Sequence, residues 1–181
     1  MIHALNLRTP LALLTLTALL ALGTAQAATP ETCAPATPEA NEELAQTWVQ
    51  NVLDKALEDP AVLDTFLPEG YIHHDGFGLS TIEGLDAFKD FQSQYFAEPV
   101  FTDLSATTDQ VVATADKAVA AWTLEATYQG GQGGTVEAGT PVSWTGITIM
   151  WVECGKVAES WTEADALYRL QQIGAVAEEL P

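Results

Sequence analysis

FTDLSATTDQVVA (101–113), AVAAWTLEATY (118–128), PVSWTGITIMWVE (141–153) and VAESW (157–161) follow one another along the second half of the chain. Each run is rich in Val, Ile, Thr and Trp, side chains that suit a pleated, half-buried surface. Ala115-Asp116-Lys117 and Cys154-Gly155-Lys156 are short enough to be tight hairpin turns, so the runs predict a long antiparallel meander. Alternation sorts their faces. The even positions are Ala118, Ala120, Trp122, Leu124, Ala126 and Tyr128 in one run, and Val142, Trp144, Gly146, Thr148, Met150 and Val152 in the next. These should face the core and any pocket, while Glu125 and Glu153 face water. Gly130-Gly131-Gln132-Gly133-Gly134 joins two strands and is followed by no Lys-Ser/Thr pair, so it reads as a hairpin loop and not a phosphate cradle.

Upstream the period changes. Leu44, Trp48, Val52, Leu53, Ala56 and Leu57 recur at three- and four-residue spacing, which predicts an amphipathic helix over about 38–58. Thr37 would cap it and Pro38 would take its first position. Asp59-Pro60 should cap a short helix over 61–66, and 71–74 reads as a brief strand. Ser80-Thr81-Ile82-Glu83 has the capping-box pattern and predicts a third helix to about Phe96, burying Leu85, Phe88, Phe91 and Tyr95. A last helix is expected over 164–173. Helices first and a meander after is an α+β order, with the helices on one face of the sheet.

The chain has 181 residues, 25 acidic and 6 basic, for a net charge of −19. Residues 1–27 hold Arg8 and no acid, so the other 154 residues carry 25 acids and 5 bases, a net −20. That charge repels phosphate backbones and anionic lipid, and excludes nucleic-acid and membrane-surface roles. Apolar residues at 48%, with five Trp and six Phe, argue against disorder. The acids form no metal-ligand constellation. His73 and His74, adjacent on a strand, point to opposite faces and cannot easily bind one ion, so no metal site is expected.

Met1–Arg8, the apolar run LALLTLTALLAL (11–22) and Ala25-Gln26-Ala27 have the three-part layout of a secretory signal peptide cleaved after Ala27. The run is short for a membrane span. The reading is therefore a secreted or periplasmic protein, free of the membrane after cleavage. Residues 28–38 form a Thr/Pro/Ala-rich tail, 39–175 the folded domain and 176–181 an acidic tail. In an oxidising compartment Cys33 and Cys154 are expected to pair, the alternative being two unpaired thiols. Neither sits in a CxxC, which argues against redox catalysis or structural zinc.

Several features then fall in a telling order: the helical start, Tyr71-Ile72-His73-His74-Asp75, Gly84 and Phe88, Phe101-Thr102-Asp103-Leu104, and Ala121-Trp122-Thr123-Leu124 with Gly130. Gly139-Thr140-Pro141-Val142-Ser143-Trp144-Thr145-Gly146, Gly155-Lys156-Val157, Trp161, Asp165-Ala166-Leu167 and Leu170-Gln171-Gln172-Ile173-Gly174 follow. Over about residues 40–174 this resembles the SnoaL-like polyketide cyclase or ester cyclase group of the nuclear transport factor 2-like superfamily. The resemblance implies a cone-shaped α+β barrel, a curved antiparallel sheet wrapped around N-terminal helices with an apolar pocket at one end. It also implies that cyclases of the group close a polyketide ester by intramolecular aldol chemistry without metal or cofactor, a carboxylate removing the proton. Relatives on the fold include isomerases, dehydratases, epoxide hydrolases and members without chemistry.

Carried onto this chain, the family's base position is Thr162 and its pocket histidine position is Thr148, and a hydroxyl has no useful basicity at neutral pH. The remaining acid–base pair is His74, expected to face the pocket with Ile72, and Asp165. His74 could instead be a strand-end histidine bonded to backbone, and Asp165 the N-cap of the last helix. Tyr71, Trp122, Trp144, Thr148 and Thr162 are the expected pocket residues, and Glu163 should point outward. The functions left open are a cofactor-free cyclase, lyase or isomerase with His74 and Asp165 as catalytic residues, a non-catalytic module for a small carbonyl-bearing or aromatic molecule, and a homodimerisation unit.

Overall fold

Thr37 accepts a hydrogen bond from the Ala40 amide at 3.2 Å, and Pro38 follows where a helix needs no N–H. Together they start helix α1 (Pro38–Gln50), which buries Asn41, Ala45, Trp48 and Val49 along one face. The computed structural model describes residues 33, 36–55, 59–75, 81–95 and 100–177. The expected leader (1–27), most of the tail after it and residues 178–181 lie outside the described residues. The helix expected to reach 58 is α-helical only to Gln50 and continues as a π-helical turn, Asn51–Lys55; 56–58 lie outside the described residues. Asp59 then caps a 3-10 turn, Pro60–Thr65, by accepting from the Ala61 amide at 3.0 Å.

Strand β1 (Ile72–Asp75) is followed by β2 (Thr81–Glu83) and helix α2 (Leu85–Tyr95). Here the capping-box reading fails. Thr81, Ile82 and Glu83 pair antiparallel with β1, Ile72 opposite Glu83 and His74 opposite Thr81. The ladder satisfies their backbone groups, and Gly84, at φ +97°, makes the turn into a helix that begins at Leu85, four residues later than expected.

The meander forms as read: β3 (Phe101–Ala113), β4 (Lys117–Tyr128), β5 (Thr140–Glu153) and β6 (Lys156–Ala164). Helix α3 (Ala166–Gln172) follows. The strand order is β2-β1-β6-β5-β4-β3. Every neighbouring pair is antiparallel except β1 with β6, which run parallel, so the expected antiparallel sheet is mixed at that one junction. Two register shifts in the β3–β4 ladder, between Thr102 and Ser105 and between Thr108 and Gln110, bend the strand and help curve the sheet. The expected inward sets of β4 and β5 are buried apart from half-buried Gly146, and Glu125 and Glu153 are exposed. Helix α1 lies across β3 and β4, and α3 against β5.

Cys154 and Gly155, at φ 53° and 71°, form a two-residue turn between β5 and β6 whose twist suits an antiparallel hairpin. Cys154 is disulfide-bonded to Cys33, Cα to Cα 5.1 Å, tying the start of the domain to that turn. Among the described residues no helix is long and apolar enough to cross a membrane.

Candidate functional site

The inner faces of the strands and the helices packed on them leave a cavity of about 130 Å³. Trp48, Val52 and Leu53 line it from α1 and its π-helical extension, and Phe88, Phe91 and Gln92 from α2. The sheet contributes His73, Phe101, Leu104, Trp122, Leu124, Trp144, Thr162 and Ala164, and Arg169 closes the wall from α3. The wall is mostly apolar, with six Trp and Phe rings and a few polar groups converging on it, the composition of a small-molecule site.

The polar groups are held from behind. The Trp122 indole N–H donates to Thr148 Oγ1 at 3.1 Å, and the Thr148 and Thr162 hydroxyls share a hydrogen bond at 3.0 Å. Thr148 is fully buried behind the wall, so of this threonine pair Thr162 is the one on the cavity. Tyr71 is likewise one layer back, its phenol bonded to Ser160 Oγ at 2.6 Å; Ser160 Oγ meets His73 Nδ1 at 2.9 Å. Burial pushes the Tyr71 phenol well above its ordinary pKa. It pushes His73 down to about 4, with His74 beside it adding to the shift. At neutral pH His73 is therefore an uncharged imidazole. Its Nδ1 is tied to Ser160 on the sheet side, which leaves the opposite edge of the ring for the cavity.

The sequence reading had the two histidines the wrong way round. Ile72, taken as the core residue that set the alternation, is only half-buried, whereas Tyr71 is fully buried and carries His73 inward with it. The parallel register puts His73 opposite buried Ser160 and His74 opposite exposed Trp161. His74 sits on the outer face: Nε2 lies 2.7 Å from Glu159 Oε1, Nδ1 3.2 Å from Thr81 Oγ1, and the ring stacks on Trp161 at 5.1 Å. Asp165 is exposed and caps α3, accepting from the Tyr168 amide at 2.9 Å. Neither residue lines the cavity, so the expected pair is not assembled there. Glu163 points outward and accepts from the Trp161 indole.

Three polar residues on the wall were missed: His73, Gln92 and Arg169. A signal existed for two of them. Gln92 is one helical turn after buried Phe88, and Arg169 one turn before buried Ile173, so both lie on inward faces. Arg169 is 7% exposed, with its guanidinium 5.6 Å from the Phe101 ring centre and 5.4 Å from that of Trp144. Among the described residues lining the cavity none is a carboxylate. Nor do three potential metal-ligating acid, His or Cys side chains gather anywhere among the described residues.

Gly146 matters to this wall. It pairs with Trp122 across the β4–β5 ladder, and a Cβ there would collide with the Trp122 ring and stand 2.7 Å from the Glu163 carbonyl oxygen. Gly146→Ala is expected to push the ring off its place and destabilise the domain by about 2 kcal/mol. Urea denaturation measures this, and an unchanged midpoint would mean the ring has room to yield.

The sequence profile of the SnoaL-like polyketide cyclases matches residues 43–173. The chain belongs to this family. Among solved structures, TsrD from Streptomyces laurentii is 26% identical, with a TM-score of 0.59 over 76% of this chain and 97% of that one. A protein of Jannaschia sp. CCS1, provisionally described as a SnoaL-like polyketide cyclase, is 19% identical, with a TM-score of 0.63 over 83% and 99%. IdmH from Streptomyces antibioticus, provisionally a polyketide cyclase, is also 19% identical, with a TM-score of 0.61 over 73% and 96%. The last two likenesses speak to fold alone. Comparison with curated proteins finds no match. SnoaL-like membership thus agrees with the observed architecture of curved mixed sheet and packed helices.

Proposed function

We propose that this SnoaL-like domain is an exported small-molecule binding protein whose cavity takes an apolar or aromatic molecule bearing a carbonyl group. The largely apolar, aromatic-rich wall carries the reading: its polar side chains are His73, Gln92, Thr162 and Arg169, and no described carboxylate stands among them. Proton abstraction beside a carbonyl calls for a base matched to neutral pH. An imidazole with a pKa of about 4 is a weak base but a good hydrogen-bonding partner for a carbonyl-bearing ligand. The three-part leader and the Cys33–Cys154 bridge support export into an oxidising compartment.

One observation favours a second copy as an additional partner. Trp161, Ile149, Val119 and Val112 are paired in one register row across β6, β5, β4 and β3, and all four are exposed. On a chain this acidic, an uncharged row across four strands is suited to burial against its own image, with Trp161 over the partner's small Val112 position under two-fold symmetry.

Native mass spectrometry of the full chain expressed with its leader tests these readings together. The expected result is a dimer of chains cleaved after Ala27, each holding one apolar molecule, and Ile149→Glu should give monomers. Wild-type turnover of a 1,3-dicarbonyl ester, abolished in His73→Gln, would overturn binding alone in favour of a cofactor-free cyclase or isomerase. Monomers in the wild type would remove the pairing.

A further inference from the structure

Resting on the binding reading above, we propose that two hydrogen-bond relays behind the wall turn His73 Nε2 and Thr162 Oγ1 into proton donors. The cavity then selects a ring-bearing ketone or ester whose oxygens accept from them. Counting protons carries the first half. Tyr71 and Ser160 are fully buried, and the acceptors their hydroxyls reach among the described residues are each other and His73 Nδ1. Two hydroxyls facing each other share one bond and use one proton, so the other proton has Nδ1 as its sole acceptor. Nδ1 therefore carries no hydrogen, and the neutral imidazole holds its proton on Nε2, on the edge left for the cavity. The opposite tautomer would strand a buried O–H without an acceptor, which is costly. The second relay ends the same way. Thr148 is fully buried and receives the Trp122 N–H, which has no lone pair to return, so the Thr148 proton goes to Thr162 Oγ1. Thr162 keeps its own proton for the cavity that it lines.

The register brings the two donors together. Ser160 is opposite His73, and Thr162 follows two residues along β6 on the same face, so His73 and Thr162 are diagonal neighbours on one strip of the wall. A carbonyl oxygen meets that strip with lone pairs alone. An alcohol or phenol would have to bury its own O–H against groups that already give theirs. The Gln92 amide oxygen, an acceptor, is on α2 and not on this strip. The cavity, about 130 Å³, is close to the ~150 Å³ engineered apolar cavity that accepts benzene, so one ring with a small substituent fills it. Tyr71, Ser160 and Thr148 act here as positioning residues: none touches the ligand, and together they set the direction of the bonds that do.

Two measurements on the full chain decide the matter. The first needs no ligand: nitrogen-15 NMR of labelled histidine at pH 7, with the His73 signals identified by their loss in His73→Gln. A proton on Nε2 and none on Nδ1 is expected, and a proton on Nδ1 would overturn the proposal. Ser160→Ala removes the hydroxyl from Nδ1 and should give a mixture of both tautomers; an unchanged pattern would show that the relay does not set it. The second uses acetophenone and α-methylstyrene, which has the same shape with CH2 in place of the carbonyl oxygen, titrated by NMR of the indole N–H groups on the wall. Thr162→Val keeps the side-chain shape and removes one donor. It should weaken acetophenone at least about fivefold and leave α-methylstyrene within about twofold. Equal changes for the two probes would overturn the selection and leave the binding reading in place. Failure of both probes to bind the wild type removes that reading and the selection with it. The wild-type tautomer needs no folded variant, since the His73 signals are the ones that leave the spectrum, so a folding defect in Ser160→Ala or Thr162→Val leaves the test intact.

Discussion

Acidification from pH 6.5 to 4 is expected to remove about 3 kcal/mol of stability through His73 alone. In the folded protein the imidazole titrates at about 4, because burial penalises its cation and His74 stands beside it. In the unfolded chain it titrates near 6.5. Between those values the unfolded state binds the proton and the folded state does not, so stability falls as pH falls. Above about 6.5 both states are neutral and the contribution is whole; below about 4 both are protonated and it is gone. Protonating the acidic coat relieves repulsion over much of the same window, with the opposite sign. The measurement is therefore the difference between wild type and His73→Gln, by urea denaturation at several pH values. The wild-type curve should fall more steeply on the acid side, and parallel curves would show that His73 takes up its proton as easily folded as unfolded.

The second large effect belongs to the disulfide. Cys33 and Cys154 are 121 residues apart in sequence, and a bridge over so long a loop removes much of the freedom of the unfolded chain. Reduction, or Cys33→Ser, is expected to cost about 3 to 4 kcal/mol, near 10 °C in melting temperature for a domain of this size. Cys33 is the better position to change, since Cys154 occupies a left-handed turn where any side chain is strained. Scanning calorimetry with and without reductant reads the difference directly, and coincident melting curves would mean that the tail contributes nothing.

How far the site could be read from the chain follows from the lengths of its elements. The faces of β4 and β5 were legible because twelve- and fourteen-residue strands give alternation enough positions to declare itself. The four residues of β1 do not, and anchoring them on Ile72 instead of Tyr71 exchanged the roles of His73 and His74. Thr81-Ile82-Glu83 misled for a related reason: a capping motif is local, and the ladder that claimed those residues is not. Asp165 resolved in favour of the helix cap, a local interaction that spacing alone had left level with chemistry. Arg169 was passed over because a lone cation in a short helix normally faces water. Only the packing of α3 against β5 and the two rings beneath the guanidinium show otherwise.

The parallel junction of β1 with β6 has a consequence for how the cavity comes together. The meander closes through near neighbours, but the bond from Ser160 to His73 joins points 87 residues apart. With the bridge in place, the path runs 40 residues back from His73 to Cys33 and 6 on from Cys154 to Ser160, about 46 in place of 87. Nearly halving that path lowers the entropy cost of closing it by about 0.6 kcal/mol. Oxidation before folding thus shortens the search for the one strand pairing that brings the imidazole to the wall, and the covalent link at the far turn makes assembly of the cavity faster as well as more durable.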